Sequence, residues 1–142
     1  MMSKVHDPTA VQDEIISSFS LFQEWLDRYQ YLIDLGRKLP PLAEQEKTDD
    51  KLLPGCQSRV WLQLEGDADQ VIIRANSDAA IVSGLIALLV EVYSGCSAKQ
   101  ILETEPYFIR EIGLSDHLSQ TRANGLHAML GAIKGHAQRL LG

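Results

Sequence analysis

The sequence has no block of lysine and arginine, no apolar run long enough to cross a bilayer, and only two cysteines in 142 residues. Each shortage excludes something. With a net charge of −6 and no basic cluster, the chain cannot neutralise a row of phosphates, so neither nucleic acid nor an anionic membrane surface is expected as a partner. The most apolar stretch, Ile81 to Val92, is too short for a transmembrane helix and is interrupted by Ser83 and Gly84. Met1 to Thr9 lacks the apolar core of a signal peptide, which points to a cytoplasmic protein. Cys56 and Cys96 stand forty positions apart, a separation that fits no zinc spacing, and a reducing compartment keeps both as thiols. The chain also lacks a glycine-rich phosphate loop, a paired-histidine metal motif and a Gly-x-Ser-x-Gly elbow, so no metal or cofactor is expected. Asp49-Asp50 is a carboxylate pair in a polar stretch and needs no catalytic role.

What is present reads as one domain over residues 1–142, with 45% hydrophobic and 23% charged residues. A chain of this size buries about two thirds of its unfolded surface and needs no cross-link to fold. Asp7-Pro8 reads as an N-cap and first helical residue. Val11, Ile15, Phe19, Phe22, Leu26, Tyr29 and Ile33 form a helical stripe. Ser20 and Gln23 suggest a capping box dividing that stripe into two helices, with Gly36 ending the second. Arg37 to Leu53, with Pro40-Pro41 and many charges, reads as a solvated loop, of the long kind that often serves a site.

From Ser58 the period becomes two. Ser58, Val60, Leu62 and Leu64 share one face, while Arg59, Trp61 and Gln63 share the other. A turn at Gly66-Asp67-Ala68-Asp69 and a return over Gln70 to Ala75 complete an antiparallel hairpin, which helices must cover. Ser77 is expected to cap a central buried helix from Asp78 to Ser94, closed by Gly95, with Gly84 permitting close packing. Ser97 and Gln100 form a capping box for a short helix, Pro106 opens another that Gly113 ends, and Ser119 or Thr121 caps the last. The last helix carries Leu126, Met129, Leu130, Ile133, Ala137 and Leu140 as its stripe. The predicted class is α+β: a small antiparallel sheet packed against several helices.

Cys56 is the residue most suited to chemistry. It follows Pro54-Gly55 at the end of the long loop and just before the first strand, so a turn presents it. A free cysteine is most often a small buried hydrophobe, and a reactive one wants a cation or a helix N-terminus beside its thiolate. Arg59 is near in sequence. Cys96, between Gly95 and Ser97 at a helix junction, reads as structural. His6 lies in a tail expected to fray, and His127 and His136 read as surface residues. His117 is the one histidine to test as a partner of Cys56.

Several separated segments then resemble the SufE family of sulfur acceptors, which includes the CsdE-like proteins, from about Phe19 to Leu140. They are Trp25 with Tyr29 and the run Leu32 to Pro40; Gly55-Cys56-Gln57-Ser58-Arg59-Val60-Trp61; Ser77 to Leu85; and Leu118 to Leu126 with Arg122 and Asn124-Gly125-Leu126. The string around Cys56 is the specific part. The resemblance implies a protein that accepts sulfane sulfur from a pyridoxal-phosphate cysteine desulfurase of the SufS/CsdA type and passes it to a downstream iron–sulfur scaffold complex. It places the carrier on Cys56, assigns nothing to Cys96, and implies a loop that tucks the cysteine against apolar surface and swings out on the partner. Gly55, Gln57, Arg59, Asp78 and Arg122 are the supporting or partner-binding candidates. The plainer readings are a first-turn charge for Asp78 and a surface or capping residue for Arg122. The implied fold resembles the IscU-type scaffold, although the three ligand cysteines of such scaffolds are missing. Ala75-Asn76, Ser83 and Gln120 depart from the family's usual Gly-Asp, lysine and proline, and read as turn and surface changes bearing on partner affinity. Two rival functions remain: a desulfurase activator that never carries sulfur, and a thiol hydrolase using Cys56 and His117. A homodimer is left open by the sequence.

Overall fold

In the computed structural model, residues 6–54 and 58–142 are described. Among them the chain runs α1 (Pro8–Ser20), α2 (Trp25–Arg37), β1 (Val60–Gly66), β2 (Val71–Ser77), α3 (Ala80–Tyr93), α4 (Ala98–Glu103), α5 (Phe108–Glu111), α6 (Leu114–His117) and α7 (Gln120–Leu141). The fold is α+β, with the two strands antiparallel and paired from Val60↔Ser77 to Gly66↔Val71. The helix α3 is apolar nearly all round and packs against α1, α2, β2 and α7, which makes it the centre of the core.

The start of α1 is as its sequence dictates: the Asp7 carboxylate accepts from the amides of Thr9 and Ala10 at 3.0 and 3.3 Å, with Pro8 at the first helical position. The break near Ser20 is real, but the expected capping box is not. Ser20 is the last residue of α1 and its hydroxyl donates to the Ser17 carbonyl at 2.6 Å, while α2 starts behind Glu24 with no side-chain cap. Arg28 supplies the corner instead, donating to the carbonyls of Phe22 at 2.8 Å and Ile112 at 2.9 Å. His6 is also tied down and does not fray, since Nε2 lies 2.8 Å from the Val92 carbonyl.

Gly36 does not end α2, which continues to Arg37. Its importance is lateral. A Cβ on Gly36 would lie 2.7 Å from the Gly84 nitrogen, and one on Gly84 would lie 2.2 Å from the Leu32 carbonyl oxygen. The helices α2 and α3 therefore cross with backbones in contact. Each glycine costs a helix about 1 kcal/mol relative to alanine, and the approach they permit seals Leu32, Leu85 and Leu88 in the core.

The hairpin has two distinct faces. Val71, Ile73 and Ala75 of β2 and Val60 of β1 are buried, with Leu62 and Leu64 packed beside them. Gly66, at φ +87°, makes the turn, and the Asp67 carboxylate accepts from the amides of Asp69 and Gln70. The strand β2 runs two residues further than the pattern suggested, so α3 begins at Ala80 behind Ala79 and has no acid in its first turn. Ser77 stays in the strand: its hydroxyl donates to the Arg59 carbonyl at 2.7 Å and accepts from the Ala79 amide at 3.2 Å.

The segment before the hairpin is not a solvated loop. Leu42 is buried, short 3-10 turns form at Glu44–Glu46 and Asp49–Lys51, Leu52 bridges Trp61, and the Leu53 amide donates to the Val60 carbonyl at 2.9 Å. It is held because the outer face of the hairpin offers partners: Arg74 pairs with Glu46, Lys47 sits over the Trp61 ring, and Asn76 bonds to Pro40 and Leu42. Ala75 and Asn76 are thus a core and a fastening position, not turn or surface ones. Ser83 lies in α3, donating to the Ser77 carbonyl at 3.2 Å, whereas Gln120 is an exposed first-turn residue of α7.

Beyond α3, Gly95 turns at φ +95° and the Ser97–Gln100 capping box forms in both directions at 2.9 and 3.1 Å. Gly113, at φ +82°, ends α5 and also leads into α6, a turn of helix that the sequence pattern did not announce. Ser119 is the cap of α7, accepting from the Arg122 amide at 3.2 Å. Gln12 is fully buried, donating to the Glu105 carbonyl and accepting from the Phe108 amide, a polar brace set into the apolar stripe. His136 is only half on the surface: its Nε2 is buried without a hydrogen-bond partner among the described residues.

Two glycine substitutions should act in opposite directions. Gly84→Ala is expected to destabilise by about 2 kcal/mol or more through overpacking against Leu32. Gly131→Ala, in the exposed middle of α7 with nothing within 4 Å, should stabilise by up to about 1 kcal/mol. Urea denaturation of the two variants checks both signs.

Candidate functional site

Gly55, Cys56 and Gln57 lie outside the described residues, so the site is defined by what flanks them. Ser58 and Val60, immediately downstream, line a small cleft together with Val82 and Leu85 of α3 and Thr121, Arg122, Gly125 and Met129 of α7. The cleft offers about 30 Å³, room for one or two water-sized groups, and its walls are mainly apolar. Its geometry follows from the packing already described: α3 is pressed in by α2, α7 is started by the Ser119 cap, and β1 is held by β2.

Of the supporting candidates among the described residues, the structure brings Arg122 to this cleft. Arg122 lines it directly, and its exposed guanidinium has no ion pair among the described residues. Arg59 and Asp78 are joined through the backbone, because the Arg59 carbonyl accepts from both the Ser77 hydroxyl and, at 3.4 Å, the Asp78 amide. Both side chains are exposed, next to the start of α3. Asp78 precedes the helix and is not a first-turn charge, because Ser77 remains in the strand and α3 starts later.

His117 is not among the cleft residues. Its ring stacks on Trp25 with centroids 3.8 Å apart, and Nδ1 lies 3.0 Å from the Gly113 carbonyl. Tyr29 donates to its carbonyl at 2.6 Å. The histidine is a packing piece of the α2–α6 contact.

Cys96 is fully buried and its thiol donates to the Val92 carbonyl at 3.4 Å. Burial, with the Asp7 carboxylate adding to it, pushes the thiol up to about 11. Such a sulfur is protonated and shut away at neutral pH, as a structural cysteine should be. Among the described residues no three His, Cys, Asp or Glu side chains gather as a metal would need, and no helix is long and apolar enough to cross a membrane.

Val82, Leu85, Thr121 and Met129 were not singled out as site residues. Val82, Leu85 and Met129 belong to apolar stretches whose sequence signal is that of core, and only the crossing of α3 and α7 beside β1 turns them into cleft walls.

The chain is an α+β domain in which residues just downstream of Cys56 line an apolar cleft. A family model described as the SufE Fe-S metabolism associated domain matches residues 13–137, and the chain belongs to the SufE family. It is 41% identical over 131 residues to an uncharacterized SufE-like protein of Rhizobium meliloti (strain 1021), covering 89% of this chain and 94% of that one. The fold is similar to the solution structure of a hypothetical protein from Thermus thermophilus, with a TM-score of 0.74, 23% identity, and coverage of 92% of this chain and 96% of the other. Membership places the protein in iron–sulfur metabolism.

The Cys96 thiol has a measurable signature. Its folded pKa of about 11 exceeds the ordinary thiol value of 9.0, so its contribution to stability is complete below pH 9 and is lost as pH rises toward 11. Wild type should therefore lose more stability between pH 9 and 11 than Cys96→Ala, whereas at neutral pH the variant should be only about 1 kcal/mol less stable. Parallel stability curves over that range would count against a buried thiol.

Proposed function

We propose that the protein accepts persulfide sulfur from a pyridoxal-phosphate cysteine desulfurase onto Cys56, stimulates the desulfurase, and delivers the sulfur to a downstream scaffold complex for iron–sulfur cluster assembly. The observation that carries this reading is the cleft lined by Ser58 and Val60. Two residues of chain reach at most about 7 Å, so Cys56 is tethered within reach of it. A cleft of about 30 Å³ suits a single extra sulfur atom, whereas ligand pockets of enzymes that hold whole substrates run to roughly 300 Å³ or more.

The transfer is thiol exchange. The Cys56 thiolate attacks the terminal sulfur of the desulfurase's cysteine persulfide; a new S–S bond forms, the old one breaks, and its electron pair leaves on the desulfurase cysteine as thiolate. Cys56 then carries S–SH, and an acceptor thiolate repeats the exchange in the opposite sense. No net oxidation occurs in either step. Apolar walls at Val60, Val82, Leu85 and Met129 keep water and reductant from the bound sulfur. The Arg122 guanidinium at the cleft favours the anionic forms that appear during exchange. Arg59 and Asp78, both exposed, are suited to the partner's surface, and Gly55 and Gln57 flank the carrier cysteine in sequence.

The test is mass spectrometry after incubation with a cysteine desulfurase and cysteine, comparing wild type, Cys56→Ser and Cys96→Ser. One added sulfur should map to Cys56 in wild type and Cys96→Ser, wash out with reductant, and be absent from Cys56→Ser. Stimulation of the desulfurase by Cys56→Ser without any added sulfur would transfer the assignment to a non-carrying activator.

A further inference from the structure

We propose that Arg74 is a positioning residue: by clamping residues 40–53 against the outer face of the hairpin, it fixes the chain that leads into Cys56 and sets how readily that thiol is reached. The inference rests on the carrier reading and goes beyond it.

Arg74 is opposite Gln63 in the register, on the face turned away from the core. Its guanidinium grips Glu46 with two bonds, from Nη1 at 2.6 Å and Nη2 at 3.1 Å, and reaches Glu65 at 3.5 Å. The paired side chains are only 35% and 24% exposed, so solvent and salt weaken the contact less than a freely solvated pair. Glu46 is preset for this grip, because its carboxylate also accepts from the Ala43 amide at 3.0 Å. Two residues along the strand, the Asn76 side chain takes the Leu42 amide at 2.5 Å and donates to the Pro40 carbonyl at 3.2 Å. The strap is thus fastened at Pro40–Leu42 and at Glu46, and again where Leu53 bonds Val60.

These fastenings hold the chain that leads toward Cys56. With the strap held, the chain is anchored at Leu53 on one side of Cys56 and, on the other, at Arg59, whose carbonyl accepts from the Ser77 hydroxyl and the Asp78 amide. Leu53 itself is tied to the sheet by one amide bond and the neighbouring Leu52–Trp61 bridge. If the Arg74–Glu46 grip fails, only Lys47 over Trp61 and that short end hold the later strap, and their loss frees the run back to residue 43. A longer tether sweeps more space. Arg74 therefore acts on Cys56 at a distance, through the strap.

The experiment follows the rate of iodoacetamide labelling of Cys56 in the free protein, mapped by peptide mass spectrometry, for wild type, Arg74→Gln, Glu46→Gln, the double variant and Arg74→Lys. Each glutamine variant should label Cys56 about two- to fivefold faster, and the double variant no faster than either single one. Arg74→Lys should recover part of the wild-type rate, and added salt should speed wild type while leaving the glutamine variants unchanged. Unchanged rates in both single variants would overturn the proposal, as would an increase accompanied by labelling of buried Cys96, which signals general loosening. Sulfur loading of wild type is measured alongside: its absence defeats the carrier reading, and the labelling rates judge the clamp separately.

Discussion

The backbone contact between α2 and α3 is the constraint from which the rest follows. Leu32 presents its carbonyl to Gly84 at a distance no side chain would allow, and Gly36 meets Gly84 from the other helix. This lets two helices approach until the larger apolar side chains on either side close around the seam. Once α3 is fixed, β2 has its inner face covered, and Val82 and Leu85 are set at the position where α7 must pass. The cleft is a by-product of that arrangement: three elements meet, none can fill the corner between them, and the unfilled space is apolar because its walls are core side chains.

The chain treats its two cysteines in opposite ways. Cys96 is enclosed, protonated and bonded to the Val92 carbonyl, and contributes to the core as a small apolar side chain. Cys56 lies in sequence between strap and strand, and Ser58 and Val60 just downstream of it line a cleft with Arg122. Desolvation silences the first thiol. The carrier role proposed for the second would draw on the cleft and its guanidinium for exchange chemistry.

A two-stranded sheet is marginal by itself. Here one face is stabilised by apolar burial on α3 and the other by polar and aromatic contacts with the strap. The two faces use different physics, and the difference has a consequence for function. The inner face is invested in the core and cannot yield without unfolding. The outer face is held by an ion pair, amide bonds and a cation over Trp61, interactions small enough to be exchanged without disturbing the core.

Local chemistry was legible in the sequence wherever a residue acts on its immediate neighbours. Asp7 before Pro8, Ser97 with Gln100, Ser119 before α7, the Gly66-Asp67 turn and the alternation through Val60, Leu62 and Leu64 all specify structure within a few residues, and the motif around Cys56 carries the family. Tertiary partners decided the rest. Gly36 resembles a helix stop until Gly84 is brought against it, and Ser77 resembles a helix cap until the Arg59 carbonyl claims it for the strand. The charged run before Pro54 looks solvated until Arg74 and Asn76 hold it down. Val82, Leu85 and Met129 read as ordinary core until three elements leave a gap between them. In each case the sequence encodes what a residue can bond or bury, and only the folded chain supplies the partner, because that partner lies tens of residues away and no local pattern records it.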